Sequence, residues 1–194
     1  MISARALLCQ ALTGARAALC KRRLGYCYVP LMSDLEAHNQ ITAALLRYTR
    51  GIDRLDGELV ASAFHPGAMC VDYGADPLAI EAFVTHAIPR LEQAFSSTQH
   101  RISNVAIELS ADRRSAVVEA YVLAFHVQQG ETHPHLHTFN GRYIDRFEHR
   151  SGEWKIATRT LRVDWTKVEP IESDMGGTWV NSSRDRTDVV YLSR

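Results

Sequence analysis

Residues 116–128, 139–149 and 154–165 read AVVEAYVLAFHVQ, FNGRYIDRFEH and WKIATRTLRVDW. All three runs are rich in β-branched, aromatic and apolar residues, which suit a pleated surface, so each is predicted to be a strand. Arg150-Ser151-Gly152 is a tight-turn signal between the last two, and the three strands should form an antiparallel meander. Upstream, Ile102 and Asn104–Leu109 read as a further strand, closed by a turn at Ser110-Ala111-Asp112.

Further toward the N-terminus the apolar period changes from 2 to 3.6. Ile41, Leu45, Tyr48, Ile52 and Leu55 recur at spacings of four, three, four and three, the stripe of an amphipathic helix. Ser33 or Asp34 supplies its N-cap, and Gly51 interrupts the pattern near its end. Asp56 reads as the N-cap of a short second helix through Phe64, which His65-Pro66-Gly67 stops. Ala68–Tyr73 is a short strand, and Leu78–Phe95 is a third helix that Pro89 kinks or divides. Helices followed by a curved antiparallel sheet define an α+β class.

The 194 residues carry 22 Lys+Arg and 22 Asp+Glu, a neutral total that conceals an uneven distribution. Residues 1–31 hold Arg5, Arg16, Lys21, Arg22 and Arg23 with no acidic residue, so residues 32–194 have a net charge of −5. An acidic body lacks the basic footprint that nucleic acid or an anionic membrane surface requires. No window approaches the ~18–20 apolar residues of a membrane span. Three of the four cysteines, Cys9, Cys20 and Cys27, also fall in residues 1–31, leaving Cys70 alone downstream with no intradomain disulfide to make. This leader reads either as an organelle-targeting presequence or as residues upstream of a natural start at Met32. The second reading places the protein in the cytoplasm and the first in an organelle. The expected organisation is a leader at 1–31, a domain at 32–166 and an irregular C-terminal arm at 167–194, docked by Trp179 and Val189–Leu192.

Several side chains could carry chemistry. Asp53 lies near the C-terminal end of the first helix, where a carboxylate meets the negative end of the helix dipole; it reads as a site residue or as a solvated helix end. His100, in Thr98-Gln99-His100, begins a strand and reads as a base or as a structural histidine. A carboxylate paired with an imidazole fixes the tautomer and stabilises the imidazolium, the usual way to build a general base. His126 reads as a pocket or core histidine, and Tyr48, Tyr73 and Tyr121 as phenol donors or core aromatics. Arg159, on a strand face with Ala157, Leu161 and Val163, should be ion-paired to Asp145 or Asp164 if it is buried. His133, His135 and His137 alternate like strand ligands for zinc, but Pro134 and the preceding Gly130-Glu131-Thr132 make this stretch a hairpin loop, so no metal site is expected. There is no phosphate loop, dinucleotide fingerprint, Gly-x-Ser-x-Gly elbow or Cys-x-x-Cys, and hence no sequence support for a nucleotide cofactor or a Ser or Cys nucleophile.

The pieces occur in a recognisable order: Arg47-Tyr48-x-x-x-Ile52-Asp53-x-x-Asp56, Ala63-Phe64-His65-Pro66, Asp72-Tyr73-Gly74, Thr98-Gln99-His100-x-Ile102-Ser103-Asn104, Gly141-Arg142-Tyr143-Ile144-Asp145-Arg146, then Gly152-Glu153-Trp154-Lys155-Ile156 with Arg159 and Asp164-Trp165. Over about residues 34–166 this resembles the SnoaL-like branch of the nuclear transport factor 2-like superfamily. The resemblance implies a cone-shaped curved sheet, antiparallel to mixed, wrapped round N-terminal helices, with a pocket inside that needs no cofactor. Its site pattern is most like those of scytalone dehydratase and hexachlorocyclohexane dehydrochlorinase, whose His–Asp dyad removes a proton from a small apolar substrate. On that resemblance Asp53 and His100 are the catalytic pair, with Tyr48, Tyr73, His126 and Tyr143 as substrate-binding positions; Ile52 stands where the dehydratase has a second key tyrosine. The implied function is a cofactor-independent lyase or isomerase acting on a small apolar, cyclic or aromatic molecule, in a homodimer or homotrimer. The same fold also serves carriers and assembly subunits, such as the small subunit of ring-hydroxylating dioxygenases.

Overall fold

The computed structural model describes residues 33–74, 76–172 and 180–192. The leader at 1–31 and Trp179 lie outside the described residues. Helix α1 (Asp34–Asp53) starts at Ser33, whose hydroxyl accepts the Glu36 amide at 3.2 Å, so Ser33 rather than Asp34 is the cap. Its apolar stripe, Ile41, Leu45, Tyr48 and Ile52, is buried. Gly51 does not interrupt the helix. A Cβ there would stand 2.7 Å from the Val60 side chain, so glycine lets helix α2 (Gly57–Ser62) pack against the last turn of α1. Asp56 caps α2 by accepting the Leu59 amide at 3.0 Å.

The second helix stops at Ser62 rather than Phe64, and strand β1 (Phe64–Val71) runs straight through His65-Pro66-Gly67. Proline there is tolerated because the pairing with β6 breaks register between Phe64 and Met69, and Gly67 turns that irregularity with φ +72. A two-residue strand β2 (Leu78–Ala79) precedes helix α3 (Ile80–Ala94), which holds Pro89 inside a single helical span. Then follow β3 (Ser97–Leu109), β4 (Ser115–Gln128), β5 (His135–Arg150) and β6 (Glu153–Pro170). A four-residue helix, α4 (Val189–Leu192), lies in the C-terminal segment. The sixth strand therefore extends past 166, and part of the expected irregular arm is strand and helix.

The six strands form one curved, unclosed sheet in the order β2-β1-β6-β5-β4-β3, antiparallel throughout except for β1 with β6. Register shifts interrupt β3 between Ser103 and Ala106, where Asn104 has φ 47, and β5 between Asn140 and Gly141. Such bulges add local twist and bend a long sheet. At Gly141 a Cβ would lie 2.1 Å from the Arg162 carbonyl oxygen, so only glycine lets the two strands close there. Helix α1 packs on β3 and β6, burying Ile41 and Leu45 in a core with Val118, Phe147, Trp154 and Ile156. No described helix is long and apolar enough to cross a membrane.

Candidate active site

The last residue of α1 and the first turns of β3 meet. Asp53 Oδ1 lies 2.7 Å from His100 Nδ1, and Asp53 Oδ2 accepts the His100 backbone amide at 2.9 Å. One carboxylate thus grips one residue at two points, fixing both the ring and the strand that carries it. The carboxylate against Nδ1 makes that nitrogen the donor. Nε2, on the other side of the ring, has no partner among the described residues, and His100 lines a cavity.

That cavity has a volume of about 430 Å³, within the about 300–1,000 Å³ usual for small-molecule sites. Its wall is mostly apolar: Ile52 from α1, Leu78, Phe83, Ala87 and Leu91 along the β2–α3 segment, and Ala124, Phe139 and Leu161 from the sheet. Into it project His100, His126, Tyr48, Tyr73, Tyr143 and Cys70, with Asp76, His86 and Arg90 as further polar groups. Asp53 does not line the cavity; it stands behind His100.

The Tyr48 and Tyr73 hydroxyls are 3.5 Å apart, and the Tyr48 ring meets Tyr143 edge-on at 5.6 Å. Burial raises the pKa of all three phenols, so they stay protonated and can donate. The buried Cys70 thiol is pushed up to about 12 by desolvation, which removes it as a thiolate nucleophile at neutral pH. His126 packs edge-on to His100 with centroids 5.2 Å apart. Burial first, then the nearby His100, lowers its pKa to about 4, so His126 is a neutral imidazole. Beneath the tyrosines lies Arg159, fully buried, its guanidinium carbon 4.2 Å from the Tyr48 ring centre and 4.0 Å from that of Tyr143. Asp145, not Asp164, pairs with it through bonds of 2.8 and 2.6 Å.

The histidine-rich stretch is not a loop throughout, because β5 begins at His135 and puts His135 and His137 on a strand. His137 bonds Gln128 at 2.8 Å, and no group of three or more His, Cys, Asp or Glu placed to hold a metal ion occurs among the described residues. Tyr121, read as a phenol donor or a core aromatic, is exposed and lines neither core nor cavity. The sequence reading overlooked the wall that α3 contributes. Its signal is present, since Phe83, Ala87 and Leu91 repeat every four residues and His86 and Arg90 repeat beside them.

Chemically the arrangement offers an imidazole with one nitrogen anchored and the other facing an apolar void, ringed by neutral hydroxyl and imidazole donors. It suits removal of a proton from carbon next to a polarised group.

Comparison with known proteins places the fold. A candidate scytalone dehydratase from Novosphingobium aromaticivorans DSM 12444 superposes with a TM-score of 0.61 at 21% identity, covering 75% of this chain and 97% of that one. Kfla4162 protein from Kribbella flavida gives 0.63 at 17%, covering 70% and 95%. Hexachlorocyclohexane dehydrochlorinase LinA-type3 from Novosphingobium barchaimii LL02 gives 0.60 at 16%, covering 76% and 96%. At these identities the likeness concerns fold alone. A search of curated proteins finds no match. The model of the SnoaL-like domain matches residues 33–160, and the chain belongs to that family.

Proposed function

We propose that the protein is a cofactor-independent lyase or isomerase that abstracts a C–H proton from a small apolar substrate. The observation that carries this reading is the Asp53–His100 pair at 2.7 Å, with the free nitrogen of the imidazole turned to an apolar cavity of about 430 Å³. His100 Nε2 takes the proton, and Asp53 holds the Nδ1–H tautomer and stabilises the imidazolium that results. Tyr48, Tyr73, Tyr143 and neutral His126 donate to the oxygen or leaving group that gains charge as the C–H bond breaks. Hydroxyls held in place in a dry cavity act strongly there, because they need no reorganisation during the reaction. The imidazolium then returns its proton to the leaving group, giving elimination, or to another carbon, giving isomerisation.

Neighbours in fold named for dehydratase and dehydrochlorinase activity favour elimination over other outcomes of the same proton transfer. The substrate class follows from the wall: a cyclic or aromatic molecule, including halogenated ones, with one electron-withdrawing group. The test is a panel of cyclic ketones, hydroxylated polycyclic and halogenated cyclohexane compounds in D₂O, followed by mass spectrometry for deuterium uptake or elimination. Turnover that H100A abolishes supports the reading; turnover that persists undiminished in H100A ends it.

Self-association belongs to the same reading. Val117 and Tyr121 on β4 and Trp165 on β6 are exposed, and cross-strand register sets them on the sheet face away from the cavity, an apolar surface that a second copy would cover. Sedimentation of the full chain should give a dimer or trimer, and a monomer at micromolar concentration removes that part.

A further inference from the structure

The family match ends at residue 160, yet the described C-terminal segment, residues 180–192, returns to the back of the Asp53–His100 pair. It is tied to the residues that follow directly on α1 and to the start of β3. On the α1 side, Arg54 Nε lies 3.1 Å from the buried Asp188 carboxylate. Asp56, three residues past Asp53, accepts Arg186 at 3.2 Å and the Tyr191 hydroxyl at 3.0 Å while still capping α2. On the β3 side the contact is Arg184. Its Nη1 donates to the Phe95 carbonyl at 2.5 Å and the Leu91 carbonyl at 3.5 Å, and its Nη2 to Thr98 Oγ1 at 3.4 Å.

These acceptors matter for what they hold. Phe95 caps the C-terminal end of α3, where a cation is favoured; the Leu91 carbonyl already accepts the Phe95 amide, and Arg184 adds a longer contact to it. Thr98 is buried two residues before His100, on the same strand face, and it is the register partner of His126. One guanidinium therefore ties down the corner from which His100 and His126 project into the cavity. Burial lowers the Arg184 pKa while the Asp53 and Glu92 carboxylates oppose that, which places its charge within electrostatic reach of the pair.

Among the described residues, the pair's own two bonds are the only hydrogen bonds involving a side chain that join α1 to β3. Helix α1 also packs on β3, but apolar packing sets no hydrogen-bond angle, so a two-point grip keeps its geometry best where charged contacts from outside hold the ends of both elements.

We propose that Arg184 is a positioning residue of the Asp53–His100 pair, acting from a C-terminal clasp outside the family domain that locks the α3–β3 corner against the end of α1. Arg184 does not line the cavity and touches no substrate. The proposal rests on the catalytic reading of the pair, but its test needs no substrate and stands if no turnover is ever found.

The experiment is solvent exchange of the His100 Nδ1–H proton, read by NMR on full-length protein labelled with ¹⁵N-histidine and assigned by the loss of its signal in H100A. The internal reference is the Nε2–H of His65, which bonds the Glu148 carbonyl at 2.8 Å and which Arg184 does not contact. Losing one charge-assisted bond network corresponds to about tenfold faster exchange at His100 in R184Q. His65 should stay within twofold, and R184K should recover part of the protection. R184K also serves where R184Q fails to fold by circular dichroism, with exchange then between that of wild type and a tenfold increase. Equal acceleration at His100 and His65 means general destabilisation and overturns the proposal, as does unchanged exchange at His100 in a folded variant.

Discussion

Two carboxylates in this molecule each grip a basic side chain at short range, with opposite consequences. Asp145 holds Arg159 by two bonds, with side chains 1% and 0% exposed, and every oxygen of the carboxylate is committed. Asp53 holds His100 with side chains 13% and 9% exposed, and it spends one oxygen on the backbone amide and the other on Nδ1. The difference lies in what is left over. The guanidinium keeps one nitrogen, Nη1, without a hydrogen-bond acceptor, but that atom is sealed between aromatic rings. The imidazole keeps one nitrogen that opens on the cavity. A buried pair with no spare valence facing a void can specify structure; one with such a valence can do chemistry.

Removing one partner from each pair should separate the two roles. R159M leaves Asp145 buried and uncompensated, which should cost about 3–5 kcal/mol of stability in urea denaturation. Replacing both, as D145N/R159M, should recover part of that. A loss below about 1 kcal/mol for R159M would erase the distinction from the structural side. H100A is the mirror case. Turnover of whichever compound the panel identifies should fall by about 10²–10⁴-fold, with the unfolding free energy changed by no more than about 1 kcal/mol.

D53N makes the next smaller change. The amide keeps the shape but removes the charge that fixes the tautomer and steadies the imidazolium, so kcat should drop by about 10²-fold while KM stays near wild type, since Asp53 does not line the cavity. An equal rise in KM would mean that Asp53 shapes the cavity rather than the base.

What the sequence revealed follows the same line between local and assembled features. The stripe of α1 and the three runs from 116 to 165 are periodic, and periodicity is local, so those elements were legible. The early end of α2, the bulged course of β1 through Pro66-Gly67 and the start of β5 at His135 were not. Each is decided by a partner strand that satisfies, or excuses, a backbone group far away in sequence. At the site, Asp53 and His100 could be singled out by resemblance, but their 47-residue separation says nothing of distance until α1 and β3 are packed. Arg159 was legible as a buried cation needing a carboxylate, yet the choice of Asp145 over Asp164 is a matter of strand register: Asp145 faces Arg159 across β5 and β6. The C-terminal arm was expected to dock through Trp179 and Val189–Leu192; among the described residues Val189 and Leu192 are exposed and the segment is held by Arg184, Arg186, Asp188 and Tyr191, polar contacts that no periodicity or motif announces.

His126 supplies the smallest and most specific test, because it is a second cavity histidine without a carboxylate. Its neighbour His100 is hydrogen-bonded to Asp53; His126 is buried with His100, His137 and Arg184 nearby, and although the Asp53 charge opposes them its pKa falls from 6.5 to about 4. Between those values the unfolded chain binds a proton that the folded chain refuses. Stability therefore falls as pH drops through that window, and the contribution is flat above it. H126Q removes the group and should flatten the acid side of the stability–pH curve by less than ~1.4 kcal/mol per pH unit, the ceiling for one proton. The comparison between the two imidazoles then turns on where the curve changes. If H126Q leaves the slope between pH 6.5 and 4 untouched, His126 is charged and solvated, and it cannot be the neutral donor beside His100.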